Sequence, residues 1–132
     1  MSAKDFQLQL SKEWQDAREN IAEAIAGIGL VLLSGIVRKT PVDTGRARGN
    51  WITSVASVDA RQLEQFDKSG SKAINDAASK LEAYPDTLPE IYVQNNLPYA
   101  LRLENGHSKQ APSGMVALTI AEVEAQFDGD LV

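Results

Sequence analysis

Residues 5–39 read DFQLQLSKEWQDARENIAEAIAGIGLVLLSGIVRK, and this stretch decides the fold. Apolar side chains recur in it every three or four positions, which is the spacing of one face of an α-helix. The recurring positions are Phe6, Leu10, Trp14, Ala17, Ile21, Ala24, Ile25, Ile28 and Leu32. Such a helix measures roughly 50 Å at about 1.5 Å per residue. Either its first turns project beyond the body, or Gly27 and Gly29 mark a bend.

The second half of this stretch is the predicted core element. Residues 24–37 form a nearly apolar run between Glu23 and Arg38. The run is shorter than the roughly 20 residues that a membrane helix needs, so a buried helix is favoured. Charged and polar residues interrupt the amino-terminal segment, so no signal peptide is predicted. Pro41 is expected to end the helix, because the residue before a proline is pushed out of the α region.

The composition is that of an ordinary soluble protein. With 132 residues, 43% of them hydrophobic and 23% charged, the chain is long enough for one domain with a core and too short for two. Residues 1–132 are therefore interpreted as a single domain. The net charge of -5 disfavours nucleic-acid binding through a broad basic face. The absence of cysteine excludes disulfides, thiol nucleophiles and cysteine metal sites.

Two strands and a crossover are predicted after the long helix. A turn-rich loop, VDTGRARGN, occupies residues 42–50. Residues 51–58 and 90–95 are rich in β-branched and aromatic side chains, which is typical of strands. Alanine, lysine and glutamate recur at helical density over residues 59–88, so this segment predicts a helical crossover, broken near Gly70. Its inward candidates are Leu63, Phe66, Ile74, Ala77, Ala78 and Leu81.

Two further helices complete the expected fold. Pro98 can begin a short helix through Glu104, with Asn96 as its cap and Gly106 as its stop. Residues 114–127 predict a final helix, although MVALTI alone would suit a strand. The apolar face of that helix is Val116, Ile120, Val123 and Phe127. The fold class is α+β: a long N-terminal helix and a C-terminal helix packed on a small, mainly antiparallel sheet.

Candidate catalytic and metal-binding residues are few. His107 is the sole histidine, so a serine triad has no alternative base. Glu104 and His107 have the i,i+3 spacing of two metal ligands, but zinc usually needs a third, which only Asp43 or Glu90 could provide in space. Other carboxylates are Glu82, Asp86 and Glu90, in a proline-punctuated segment that favours a solvated loop. The sequence therefore predicts no enzyme, no metal and no cofactor.

A basic cluster flanks the loop that follows the long helix. Its members are Arg38, Lys39, Arg46 and Arg48. Guanidinium groups pair well with phosphates and with carboxylates, so the cluster could bind either, although a solvated face is the commoner arrangement. Trp51 and Tyr99 suit packing in the core or at strand ends better than base stacking.

Two uncommon strings occur in order, TPVDTGRARGNW at residues 40–51 and NNLPYALRLENGHSKQAPSGMV at residues 95–116. With the order of the predicted elements, they resemble the tail-completion or neck protein family of tailed phages. The family pattern Pro-x-Asp-Thr-Gly-Arg falls on residues 41–46, and Tyr-Ala-x-x-Leu-Glu-x-Gly falls on residues 99–106. Many relatives have a Pro-Phe pair before the last helix, where this chain has APSGM at residues 111–115. The chain thus resembles a distinct branch.

The resemblance implies a structural protein of the bacteriophage virion. Its expected assembly is a hexameric ring at the head-tail junction, which completes the tail and joins it to the capsid connector while leaving a DNA channel. The implied partners are further copies, head-closure (stopper) or adaptor proteins, and the tail terminator or tail tube protein. Genome DNA passes without specific binding, and no membrane is involved. The expected localisation is the virion neck, and the host cytoplasm during assembly.

The resemblance also implies a contact region made by two loops that lie near each other. Its expected residues are Thr40, Pro41, Asp43, Thr44, Gly45, Arg46, Tyr99, Glu104, Gly106, His107, Ser108 and Lys109. A negatively charged ring would let the genome slide through without sticking. The alternative function is a monomeric, phage-encoded binding or regulatory module, which predicts a stable monomer without affinity for tail or connector proteins.

Overall fold

The first element is one uninterrupted helix, α1 (Ala3–Lys39). The structure is a computed structural model, which describes residues 2–130 and, among these, the side chains of residues 2–126. A capping box fixes its start: the Asp5 N–H donates to Ser2 Oγ at 3.1 Å, and the Asp5 carboxylate accepts from the Ser2 N–H at 3.3 Å. The side-chain hydrogen bond from Ser2 lowers the pKa of Asp5. The helix ends at Thr40, directly before Pro41, as predicted.

The two halves of α1 differ in burial. Residues 2–21 are all exposed, whereas Gly29, Leu33 and Val37 are buried. The 37 residues span about 55 Å, so of the two predicted arrangements the structure has the projecting first turns. Gly29 serves close packing, because a Cβ there would lie 3.3 Å from Cδ1 of Ile91.

A two-stranded antiparallel sheet follows in the described residues. The predicted loop contains a single-turn helix, α2 (Arg46–Gly49), so that prediction was wrong over these residues. Strand β1 (Trp51–Val55) is shorter than predicted, because Ala56 has a φ of 72° and turns the chain away. β1 pairs with β2 (Ile91–Asn95), with Trp51 opposite Asn95 and Val55 opposite Ile91.

The crossover between the strands is only partly helical, and its helix is α3 (Ser71–Glu82). The prediction of a helix before Gly70 was wrong. Residues 58–67 are irregular and are tied to a side chain outside the segment: Asn50 Oδ1 accepts from the Leu63 N–H at 2.6 Å, and Asn50 Nδ2 donates to the Leu63 carbonyl at 3.0 Å. Phe66, predicted to face inward, is 56% exposed.

The short helix α4 (Ala100–Glu104) begins later than predicted. Asn96 does not cap it, because the side-chain amide donates to the carbonyls of Asp59 and Arg61, each at 2.8 Å. Gly106 follows the helix with a φ of 83°, in agreement with the predicted stop.

The last helix is α5 (Val116–Asp130), so the helical alternative for this segment is confirmed. Its buried face differs from the predicted one. Thr119 and Val123 are buried, whereas Ile120 is 41% exposed. Thr119 packs against α1, because a Cβ at Gly35 would lie 2.7 Å from its Cγ2 atom. The prediction for Phe127 falls outside the described side chains.

The core lies where α1, α3, β1 and the segment leading into α5 meet. Its buried members are Leu33, Ile36, Val37, Trp51, Ala73, Ala77, Ala111 and Met115. α3 packs against α1 and β1, and α5 packs against α1. The predicted α+β class is confirmed, with a long N-terminal helix, a C-terminal helix and a small antiparallel sheet.

By length and composition, α1 is the one helix within residues 2–130 that could cross a membrane. The core helix of a soluble protein meets the same criterion. The second half of α1 packs against α3, α5 and β1, which is the core position expected from the sequence.

Candidate protein contact site

The two segments singled out in the sequence lie side by side. Gln110 of the second segment bonds to both main-chain groups of Val42 in the first: its Oε1 accepts from the N–H at 2.8 Å, and its Nε2 donates to the carbonyl at 3.1 Å. The two residues are 68 positions apart in the chain. The loops at residues 40–50 and 104–112 therefore form one continuous surface.

A cleft of about 270 Å³ lies between these loops and is called the loop cleft below. The predicted contact residues that line it are Pro41, Asp43, Thr44, Gly45, Arg46, Tyr99 and Ser108. Val42, Leu103 and Gln110 also line it. The remaining predicted contact residues lie outside this lining: Thr40, Glu104, Gly106, His107 and Lys109.

Thr40 has an internal role. Its side chain is buried, and its hydroxyl donates to the Ile36 carbonyl at 2.7 Å and accepts from Nε1–H of Trp51 at 2.8 Å. Because a buried polar group needs its hydrogen bonds satisfied, this arrangement ties the end of α1 to the start of β1. Thr40 shapes the first loop from below rather than presenting its hydroxyl to a partner.

Gly45 is required by the backbone of the first loop. Its φ is 87°, and a Cβ there would lie 2.5 Å from the Lys68 nitrogen. Its carbonyl accepts from the N–H groups of Gly49 and Asp67, both at 2.9 Å. The neighbouring Thr44 is exposed, and its Oγ1 accepts from the Arg46 N–H at 3.3 Å. The turn therefore has a fixed shape with polar side chains on its outer side.

Arg48 is used entirely within the fold. Its Nε donates to the Thr40 carbonyl at 2.9 Å, its Nη1 to Lys68 at 2.8 Å, and its Nη2 to Arg38 at 2.9 Å. The rigid guanidinium fork suits this three-way bonding. Arg48 belongs to α2 and thus joins this helix to the end of α1 and to the loop before α3.

Arg46, two positions earlier, is held much more loosely. One nitrogen lies 3.9 Å from the carboxylate of Glu64, a side chain that is 84% exposed. Among the described residues its Nε has no hydrogen-bond partner, although that atom is buried. The buried Nε is out of reach of another molecule, but the long, exposed ion pair leaves the terminal nitrogens of Arg46 able to pair with another carboxylate at the loop cleft. Of the predicted basic cluster, Lys39 is also engaged, with Glu122 at 2.8 Å.

Glu104 caps the last helix. Its Oε1 accepts from the N–H groups of Met115 and Val116 at 2.9 and 2.8 Å, and its Oε2 accepts from Ala117 at 3.1 Å. These are amides of the first turn of α5, where a carboxylate is favoured. Burial raises the pKa of Glu104, but the three backbone hydrogen bonds outweigh it, so the pKa lies below its ordinary value.

The rest of the second segment turns outward. Gly106 has a φ of 83°, which favours glycine. In addition, a Cβ at this position would clash with the carbonyl oxygen of Pro112. His107 and Lys109 are exposed between these residues, and Tyr99 at the cleft edge is 37% exposed. The second segment therefore exposes the ring of Tyr99 and the side chains of His107 and Lys109 to solvent.

Two of the carboxylates considered for catalysis or metal binding, Asp86 and Glu90, have partners within the fold. Among the side chains that the structure describes, those of residues 2–126, no group of three or more His, Cys, Asp or Glu is placed to hold a metal ion. Asp86 lies 3.8 Å from Arg18. Glu90 accepts a hydrogen bond from the Tyr92 hydroxyl, which raises the pKa of Tyr92.

Three polar residues important for the loops were not predicted. Gln110 joins the two segments, buried Asn50 ties α2 to residue 63, and buried Asp67 accepts from the N–H groups of residues 70, 72 and 73. An aspartate just ahead of a helix is a recognisable capping signal, so Asp67 could have been found. The partners of Asn50 and Gln110 are distant in sequence, and no local pattern reveals them.

The fold and the loop cleft define an α+β domain with a preformed polar surface made by two distant segments. Comparison with protein-family models, curated proteins and solved structures finds no match for this chain.

Proposed function

We propose that this chain is a structural component of the tailed-phage head-tail junction, a tail-completion or neck protein that assembles as a ring of identical subunits. The observation that carries the proposal is the juxtaposition of the two family-like segments through the paired Gln110 and Val42 bonds. Two strings remote in sequence converge on one surface, as a shared contact role requires. The proposal is for assembly, not for catalysis.

The residues of the two segments divide into a supporting group and a presenting group. Thr40, Gly45, Glu104 and Gly106 are engaged by internal hydrogen bonds or backbone contacts. The presenting group consists of Asp43, Arg46, Tyr99, His107 and Lys109, while Pro41, Thr44 and Ser108 line the loop cleft, the last two with hydroxyls that accept one main-chain N–H each. Binding residues commonly lie on loops held by a rigid scaffold, and this division supports a contact role for the second group.

Arg46 is the proposed anchor of the contact. Arginine is enriched among the residues that dominate protein interfaces, and its fork pairs well with a partner's carboxylate. Its side chain is 34% exposed and its ion pair with Glu64 is long, at 3.9 Å, so its terminal nitrogens keep donors for such a group. A carboxylate from a neighbouring subunit or connector protein would satisfy them.

The overall charge is compatible with a DNA conduit. At a net charge of -5 per chain, a ring of such subunits has a surface that repels phosphate. The genome would then pass without sticking. A closed ring uses two different surfaces of each subunit, and the loop cleft supplies one of them, facing a neighbouring copy, the head-closing stopper, the tail terminator, or more than one of these.

Exchange of Arg46 for glutamate tests the proposal. An interface arginine of this kind typically contributes about 2 kcal/mol or more, so we expect R46E to weaken association with the connector partner by roughly 30-fold or more. In a phage lacking the native gene, R46E should leave heads and tails unjoined in electron micrographs, while wild type restores infectious particles.

The control is Lys72→Glu, which makes the same charge change on the exposed outer side of α3. It should restore particles as well as wild type. Both variants should keep the wild-type melting temperature. If R46E folds normally and restores particles fully, the proposed contact role of the loop cleft is wrong.

A further inference from the structure

The exposed first half of α1 carries an apolar face that none of the described residues of its own chain covers. Phe6 is 55% exposed, Leu10 41%, Trp14 69% and Ile21 48%. Large apolar side chains scattered singly on a surface need no explanation, but a contiguous set marks an interaction surface. Here the set is contiguous, because its members lie four or seven positions apart on one helix, with Ala17 between Trp14 and Ile21.

The spacing of this face is that of a coiled-coil seam. Leu10, Trp14, Ala17, Ile21 and Ala24 follow one another in alternating steps of four and three residues. This places Trp14 and Ile21 at position a of a heptad and Leu10, Ala17 and Ala24 at position d. A strict seven-residue repeat keeps the seam facing another helix along its length. These five residues are called the α1 seam below.

The α1 seam is separate from the face that packs on the body. With 3.6 residues per turn, the buried positions Ala22, Gly29 and Leu33 lie about 120° around the helix from the seam. Folding of the chain therefore covers one face of α1 and leaves the other open. The contact with the body and a contact through the α1 seam can therefore exist at the same time.

We propose that the α1 seam packs against the same seam of a second copy of this chain, with the two helices parallel and in register. The flanking charges favour this occupant. Glu13 is at position g and Arg18 at position e. In a parallel pair a g residue faces the e residue five positions later on the other helix, so Glu13 of each copy meets Arg18 of the other.

An antiparallel pair lacks this match, because it flanks the seam with g opposite g and e opposite e. Within one chain Arg18 has only a distant ion pair with Asp86, at 3.8 Å, and its side chain is 54% exposed. Such an exposed pair contributes little, so Arg18 is free to turn toward a partner helix.

The contact belongs to α1 alone and does not depend on the proposed function. Because the same surface of both copies takes part, the contact is a two-fold one and is distinct from the contact between neighbours in a closed ring, which joins two different surfaces. The test uses the isolated full-length chain, so its failure and the failure of the loop-cleft contact are distinguishable.

Disulfide trapping tests the geometry cleanly, because the chain has no cysteine. We expect Ala17→Cys to form a covalent dimer under mild oxidation, since in-register d positions of a parallel pair approach within the range of a disulfide. The matched control is Leu8→Cys, on the same exposed stretch but on the opposite side of the helix and 61% exposed. Its dimer yield should be at least tenfold lower. Equal yields from the two variants, or no dimer from A17C, overturn the proposal.

A second variant tests the apolar contact itself. Trp14→Asp places a charge in the seam, so in the A17C background it should reduce disulfide formation at least tenfold, whereas Leu8→Asp should not. Both side chains are exposed in the single chain, so at a protein concentration too low for dimers the melting temperature should stay unchanged. Dimers in sedimentation analysis that W14D disrupts, without a disulfide from A17C, would show a different packing and would contradict the parallel pairing.

Discussion

Two arginines in one short motif, Arg46 and Arg48, illustrate why residue type alone does not assign a role. Both belong to the basic cluster that could bind phosphate or carboxylate, although the sequence favoured a solvated face. The structure uses the three guanidinium nitrogens of Arg48 on three main-chain carbonyls, whereas Arg46 has one distant carboxylate. The first arginine supports the fold, and the second keeps donors available for a partner.

Replacement of Arg48 by lysine should therefore cost stability although it keeps the charge. A lysine ammonium cannot reach three carbonyls in a planar fork, and leaving acceptors unpaired costs about 1–3 kcal/mol. We expect R48K to lower the free energy of unfolding by that amount in urea titration. Arg38→Lys, with an exposed side chain, should change it by less than about 0.5 kcal/mol. A wild-type value for R48K would contradict the support role.

Glu104 should make stability depend on pH. Its pKa is lowered in the folded chain, so its stabilising effect is present at neutral pH and is lost as pH falls through the folded pKa. We expect E104A to lower the free energy of unfolding by about 1–3 kcal/mol at pH 7. The difference between wild type and E104Q should shrink as pH falls into the acid range. Glu124→Gln, in the exposed part of α5, should show no such trend, and a pH-independent difference for E104Q would contradict the cap.

At the level of elements, the spacing of apolar residues correctly predicted the long helices. It did not predict the shape of segments that are held by side chains distant in the sequence. α1 and α5 follow from apolar spacing, and Pro41 gave the correct end of α1. Residues 58–67 have helix-forming composition but are irregular, because Asn50 takes the main-chain groups of Leu63. A partner 13 positions away leaves no trace in the local pattern.

The two halves of α1 should differ in local stability. The first half has helical hydrogen bonds but no packing in its own chain, and most helical stability in proteins comes from packing. At low protein concentration, where the α1 seam is unpaired, amides of residues 6–20 should exchange with deuterium at least roughly 100-fold faster than those of residues 30–37. Uniform protection along α1 would contradict the projecting arrangement.

At the scale of the whole molecule, the candidate site was predictable in its location more than in its chemistry. The sequence strings placed the two loops that the structure brings together, but they did not separate supporting residues such as Glu104 from presenting ones such as Arg46. That separation depends on where α5 begins in space and on which carbonyls lie near each guanidinium. Under the two proposals, the loop cleft and the α1 seam are two separate contact surfaces of the chain.

The most direct test of the proposed function is cryo-electron microscopy of the head-tail connector from particles of a tailed phage whose genome carries this gene. The proposed function predicts a ring of this subunit, with sixfold symmetry, in which the loop cleft lies at contacts between proteins. Absence of the chain from intact particles would contradict the structural role and would favour a monomeric regulatory module.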